Sequence, residues 1–384
     1  MKLSLAASLL AGLLTSLSGQ SPAPAPSPAP ASENQVPVRP PPLESPVVHP
    51  DRTVTFRFRA PAAEKVELSG QFLKGNQPMQ KDGTGVWSLT VGPVEPDLYP
   101  YNFVVDGVGM ADPLNPAVFP NERFKPSLVD IPGDTPSLHS VQNVPHGMVT
   151  HCFYESITLA TTRPLVVYTP PGYHAGTEKY PVFYLISGTT DTEETWFRAG
   201  RLNFILDNLI AANQAVPMIV VMPYGNMMTG APRPSSPEAA VMYQRFNDEL
   251  TGSIMPYVGT HFRVLADREK QAIAGFSRGG GQSLFTAFRN PDKFAWIGSY
   301  AAYLTPEVCT AHFPGLTADA ADNDRIRLLW LGVGKDDFLH RQAVEFHDFL
   351  TAVGVRHSWL ETGGGHTWMN ARNYLAETLQ LFFK

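Results

Sequence analysis

The sequence predicts an α/β fold preceded by a small all-β sandwich. Three observations carry this expectation. Hydrophobic residues alternate with period two over residues 53 to 106, and after about residue 150 the pattern changes to short apolar runs separated by helical spacing. The length, 384 residues, exceeds one ordinary small domain and suits a large domain plus a smaller one. Composition agrees: 43% of residues are hydrophobic and the formal net charge is −6, as in a folded globular protein. No basic stripe offers a footprint for nucleic acid, so none is expected as a partner.

Residues 1–20 read as a signal peptide, with Met1-Lys2, an apolar run from Leu3 to Leu14 and then small residues suited to cleavage. The run is too short to span a bilayer, so the mature chain is expected to carry no integral membrane segment and to be secreted or periplasmic. Residues 21–50 are rich in Pro, Ala and Ser and form an extended polyproline linker with almost nothing to bury.

Residues 51–133 form the predicted sandwich. Val54, Phe56 and Phe58 share one strand face, followed by Val66 and Leu68, then Trp87, Leu89 and Val91, then Tyr99, Tyr101, Phe103 and Val105. Turn residues punctuate these runs at Ala60-Pro61, Asp82-Gly83 and Pro93. The aromatics serve either a core or a glycan-binding face, and the alternation fits both. Around Pro132-Gly133-Asp134 the chain is expected to leave a separable unit.

Residues 141–384 form the predicted sheet domain, with strands at 165–168, 182–186, 218–222, 272–274, 296–298 and 327–331, and helices over 202–213, 242–258 and 282–289. Cys152 and Cys309 are the only two cysteines; one bridge and two free thiols both remain open. Two cysteines make no Cys-rich zinc site and His-Glu-x-x-His is absent, so neither metal nor cofactor is expected.

Gly275-Phe276-Ser277-Arg278-Gly279 lies between an apolar strand and a helical stretch. A tight strand-to-helix turn exposes a serine hydroxyl at a helix N-terminus, and the flanking glycines remove side chains that would collide. Ser277 is therefore the candidate nucleophile. A serine needs a neutral histidine to take its proton and a carboxylate to orient that histidine, in the chain order Ser, acid, His. Of eleven histidines, His366 stands on the Gly-rich loop Gly363-Gly364-Gly365-His366-Thr367-Trp368, beyond the last predicted strand. Asp336 and Asp337 both follow the strand ending near Val333, and only one of two adjacent side chains can reach the imidazole. Acyl transfer also needs backbone amides aimed at the developing oxyanion; Arg278 supplies one and Thr189, in Ser187-Gly188-Thr189-Thr190-Asp191, the other. The Arg278 side chain either touches substrate or lies in solvent. Trp196 and Trp368 flank these loops and are candidate substrate-stacking residues.

From about residue 150 onward the chain resembles the esterase D group of α/β-hydrolases, and within it the feruloyl and acetyl xylan esterases of carbohydrate esterase family 1. The matching segments are Val167-Tyr168-Thr169-Pro170-Pro171-Gly172-Tyr173, the run from Gly200 to Ile210, that from Pro217 to Pro223, Ala274 to Gly280, Gly334 to Leu339, and Gly365-His366-Thr367-Trp368. The sandwich resembles the early-set, immunoglobulin-like module of carbohydrate-binding family 48, in Phe56-Arg57-Phe58-Arg59-Ala60-Pro61, Gly85-Val86-Trp87-Ser88 and the run from Tyr99 to Gly107. The resemblance implies an α/β-hydrolase fold and selects Asp337 as the acid. It implies a serine esterase that releases hydroxycinnamates from feruloylated or acetylated xylan and xylo-oligosaccharides through an acyl-enzyme. An acetyl xylan esterase or a siderophore or other small-ester hydrolase would use the same triad, and a glycan-binding protein with a silent esterase fold is the reading of another class. Two departures are local: where relatives often carry His-Gly-Gly-Gly, this chain has Ser187-Gly188-Thr189-Thr190, and Ala371 stands where relatives often carry an aromatic after the histidine.

Overall fold

The computed structural model describes residues 42–228, 237–313, 323 and 325–384, and residues 43–384 form one compact unit. The leader and most of the Pro-rich stretch lie outside the described residues.

The N-terminal strands are β1 (Val47–Val48), β2 (Val54–Arg59), β3 (Val66–Gly70), β4 (Gln77–Pro78), β5 (Gln80–Lys81), β6 (Val86–Val91), β7 (Asp97–Val105), β8 (Val108–Met110) and β9 (Ser127–Ile131). They make two sheets, ordered β1-β2-β6-β5 and β4-β3-β7-β8, with β9 also paired to β7. Alternation sends one face of each strand inward, so Phe56 and Phe58 on β2 meet Tyr101 and Phe103 on β7 across the sandwich. Trp87 and Tyr99 are buried as well, so the aromatics that defined the strands belong to the core. The domain begins earlier than the linker boundary at residue 50 allowed. Val47 and Val48 pair with β2, and the Ser45 hydroxyl donates to buried Asp112 at 2.6 Å.

The second sheet has eight strands: β10 (Met148–Ser156), β11 (Thr161–Thr169), β12 (Val182–Ile186), β13 (Ile219–Pro223), β14 (Gln271–Phe276), β15 (Trp296–Tyr300), β16 (Leu328–Gly334) and β17 (Ser358–Thr362), in the order β10-β11-β13-β12-β14-β15-β16-β17. Pairing is parallel from β13 through β12 to β17 and antiparallel at β10–β11 and β11–β13. Strands β12 to β15 are buried at every residue, as parallel strands covered on both faces must be. The covering helices are α1 (Thr195–Arg198), α2 (Leu202–Ala211), α3 (Pro237–Glu249), α4 (Met255–His261), α5 (Arg278–Arg289), α6 (Pro306–His312), α7 (His340–Ala352) and α8 (Trp368–Leu381). A π-helical turn, Leu250–Ile254, joins α3 to α4. No helix among the described residues is long and apolar enough to cross a membrane.

The expectation of a separable sandwich meets a different arrangement. Leu98, Phe119 and Leu128 of the N-terminal half are buried in the same core cluster as Trp196, Trp368 and Tyr374 of the sheet domain. Arg372 on α8, only 3% exposed, donates to Asp97 Oδ1, to Leu98 O at 2.9 Å and to Ala199 O at 2.7 Å. The two halves thus share a core and a partly buried ion pair. Cys152 and Cys309 are free thiols.

Candidate active site

Ser277 occupies the single residue between β14 and α5, with φ 55° and ψ −122°, a sparsely populated conformation for any residue with a side chain. Its N–H donates to Tyr300 O at 2.8 Å, and its carbonyl accepts from Gly280 N at 2.9 Å. The glycines on either side are required by close approach. A Cβ on Gly275 would lie 2.4 Å from the Gly279 carbonyl carbon, and one on Gly279 would lie 2.3 Å from Ile186 O at the end of β12. Gly281 N also reaches the Ser277 carbonyl, at 3.2 Å, so the amides of Arg278 and Gly279 are the ones that α5 leaves without a helical acceptor at its N-terminus.

His366 lies on the loop between β17 and α8, and its Nδ1 is 2.8 Å from Asp337 Oδ2. The Asp337 side chain is wholly buried, and its other oxygen accepts from Leu339 N at 2.8 Å. Asp336, one residue earlier, is exposed, and its amide is tied to Gly364 O at 3.0 Å. Asn370 Nδ2 clamps the histidine loop by donating to Gly363 O at 3.1 Å and Gly365 O at 3.0 Å. The ring of Phe276, next to Ser277, stacks on the His366 imidazole with centroids 4.6 Å apart. The three sequence-selected residues therefore gather at the C-terminal ends of β14, β16 and β17.

The loop after β12 runs against Ser277, since a Cβ on Gly188 would stand 3.5 Å from Ser277 Cβ. Gly188 N–H is turned to Asp191 Oδ2 at 3.0 Å, which leaves the following amide, that of Thr189, as the next donor of the loop. Burial pushes the Asp191 carboxyl up to about 7 against the hydrogen bond from Gly188 and the nearby Arg278 charge. The Arg278 side chain neither touches substrate nor lies in solvent. It is 2% exposed and donates from Nη2 to Gly188 O at 2.8 Å, bracing this loop from beneath.

Trp196 and Trp368 are corrected by burial. They are 1% and 5% exposed and pack edge to face at 4.7 Å, Trp196 also on Tyr300 and Trp368 on Phe119 and Phe276. Each lies in the first turn of a helix that must dock on the sheet, so its ring fills the core behind the site and is not free to stack on a ligand. The aromatic residue that does face outward is Phe338, 72% exposed with its ring 4.5 Å from the imidazole. Its signal was present in the sequence as an apolar residue immediately after Asp337 on a loop, where packing gives no reason for one.

The sheet, the turn at Ser277 and the His366–Asp337 pair are those of the α/β-hydrolase class. Residues 156–375, more than half of the chain, match the model of the Esterase family, described as "Putative esterase", and the chain belongs to that family. Residues 44–116 match Carbohydrate-binding module 48 (Isoamylase N-terminal domain). The chain is 28% identical over 360 residues to an endo-1,4-beta-xylanase/feruloyl esterase of Xylanibacter ruminicola, covering 91% of this chain and spanning about half, 47%, of that protein. Among solved structures, the CE1 ferulic acid esterase of Anaeromyces mucronatus superposes with a TM-score of 0.54 at 24% identity, over 65% of this chain and 96% of that one. The enterochelin esterase of Shigella flexneri does so with a TM-score of 0.64 at 17% identity, over 86% and 92%.

Proposed function

We propose that this chain is a secreted serine esterase that releases hydroxycinnamates, ferulate above all, from plant cell-wall xylan. The observation that carries the acyl preference is Phe338, a flat apolar ring held in the open beside the candidate base. An aromatic acyl group that stacks there gains roughly 0.5 to 1.5 kcal/mol beyond burial, and an acetyl group gains none of it. The relative from Xylanibacter ruminicola, named an endo-1,4-beta-xylanase/feruloyl esterase, supports the same substrate class. The leader read at residues 1–20 supports export to where such a polymer is found.

In this reading Ser277 Oγ attacks the ester carbonyl as its proton passes to His366 Nε2. Asp337 holds the imidazole through Nδ1 and stabilises its positive charge. The amides of Thr189 and Arg278 donate to the oxyanion. The alkoxide of the sugar leaves with the proton from His366, and the feruloyl group remains on Ser277. Water, deprotonated by the same imidazole, then attacks the acyl carbon and releases ferulate. Ser277→Ala is expected to lower kcat by roughly four to six orders of magnitude in a folded protein. Retention of activity within tenfold would overturn the nucleophile. Substrate class is tested by comparing kcat/KM for methyl ferulate, an acetylated xylo-oligosaccharide and a 2,3-dihydroxybenzoyl-serine ester. A preference for either of the last two would replace ferulate with an acetyl or a siderophore-type substrate.

A further inference from the structure

The loop that follows β12 contains a residue in a conformation that its side chain opposes. Thr190 has φ 65°, the left-handed region that glycine enters freely and a β-branched residue resists. Within the loop, Asp191 N–H closes a turn on Gly188 O at 3.3 Å and places Thr190 at its third position. The contacts that reach Thr190 itself come from between β8 and β9, in the N-terminal half of the molecule. Glu122 N–H donates to Thr190 O at 2.7 Å, and Asn121 Nδ2 donates to Thr190 Oγ1 at 2.9 Å. Asn121 also pairs with Asp191 as an antiparallel bridge, and Pro120 O accepts from Thr195 Oγ1 at 3.0 Å. The short segment is itself anchored at its far end. Glu122 Oε1 accepts from Tyr224 Oη at 2.8 Å and from Asn226 Nδ2 at 2.7 Å, both on the loop leaving β13.

We infer that Pro120–Glu122 is a strap, with Asn121 its positioning residue, through which the N-terminal half fixes the Thr189 amide in line with the oxyanion. The inference rests on the reading of Ser277 as nucleophile and Thr189 as donor. Thr189 lies between Gly188, pinned by Asp191 and Arg278, and Thr190, pinned by the strap. The peptide that carries its N–H is held at the Gly188 carbonyl, and the peptide that follows it is held through Thr190. Release of the second pin lets Thr190 relax to negative φ, which turns the Thr189–Thr190 peptide, opens the turn and shifts Thr189 with its N–H away from Ser277. Oxyanion donors act on the transition state more than on the bound ester, so the loss falls on kcat.

The test uses the full chain with methyl ferulate and 4-nitrophenyl acetate. Asn121→Ala removes the donor and Thr190→Val removes the acceptor while keeping the branched shape. Each is expected to lower kcat ten- to hundredfold on both esters, with KM within about twofold and the melting temperature within a few degrees of wild type. In the double variant Asn121→Ala/Thr190→Gly, glycine takes positive φ without a clamp, and kcat should recover at least tenfold over Asn121→Ala. A kcat within twofold of wild type in both single variants overturns the strap, as does a loss confined to KM or a loss that glycine does not repair. Failure of the nucleophile reading looks different, since Ser277→Ala would then stay active whatever the strap variants do.

Discussion

Asp336 and Asp337 are adjacent carboxylates with opposite surroundings, and sequence spacing alone left them level. One faces solvent; the other is buried, accepts from Leu339 N and meets His366 at 2.8 Å. Burial is settled by how the loop after β16 turns, and that depends on a close pass of Gly334 against Gly364, where a Cβ would come within 2.1 Å of the Gly364 carbonyl oxygen. No local pattern records such a contact between residues so far apart. Asp337→Asn is expected to reduce kcat by about three to four orders of magnitude, whereas Asp336→Asn should leave it within about threefold; steady-state kinetics on one small ester ranks them. Tryptophans 196 and 368 illustrate the same limit from the other side, because a large aromatic near a catalytic motif reads alike whether it is core or cleft. Asp191 adds a pH dependence of stability. Its carboxyl, pushed up to about 7 from 3.8 by burial, keeps a proton in the fold that the unfolded chain sheds. Stability from this group is whole below pH 4, declines between about 4 and 7 by at most about 1.4 kcal/mol per pH unit, and is flat above. Asp191→Asn should remove that slope from a series of thermal melts; an unchanged slope would assign it to other groups.

Among the elements, the interior strands were legible because parallel strands buried on both faces are continuous apolar runs, as Val182–Ile186 and Ile219–Pro223 are. Strands β10 and β17 were not, and for a physical reason. They close the two edges of the sheet, are half exposed along their length, and carry polar residues such as Thr150, His151 and Glu361 that show no apolar run. The turn at Ser277 was legible because its geometry admits only glycine at two fixed places. Gly279→Ala should therefore be severe out of proportion to one methyl group. The new carbon would stand 2.3 Å from Ile186 O and 2.6 Å from Ser187 O, both backbone atoms that cannot step aside without moving the loop beside the nucleophile. Loss of at least a hundredfold in kcat, together with a lower melting temperature, is the expected outcome. Normal kinetics in that variant would mean that α5 can shift along β12 at little cost.

For the molecule as a whole, the alternation of the sandwich was visible in the sequence but its attachment was not, because Leu98, Phe119 and Leu128 look like any other sandwich residues until they are found in the neighbouring core. A chain beginning near Val141 lacks all three and exposes the surface of Trp368 that Phe119 covers. At roughly 1.5 to 3 kcal/mol for each large apolar side chain, such a chain should melt well below the full protein and lose turnover on small esters as well as on polymers. Full activity and an unchanged melting temperature would restore the picture of a detachable module. The Asp97–Arg372 contact has a further consequence, for the order in which the protein is made. Its partners are 275 residues apart, so the sandwich leaves the ribosome long before the helix that completes its underside has been synthesised. During that interval a nearly finished domain displays a carboxylate without its arginine and a bare apolar face, and the nascent chain depends on late translation to cover them.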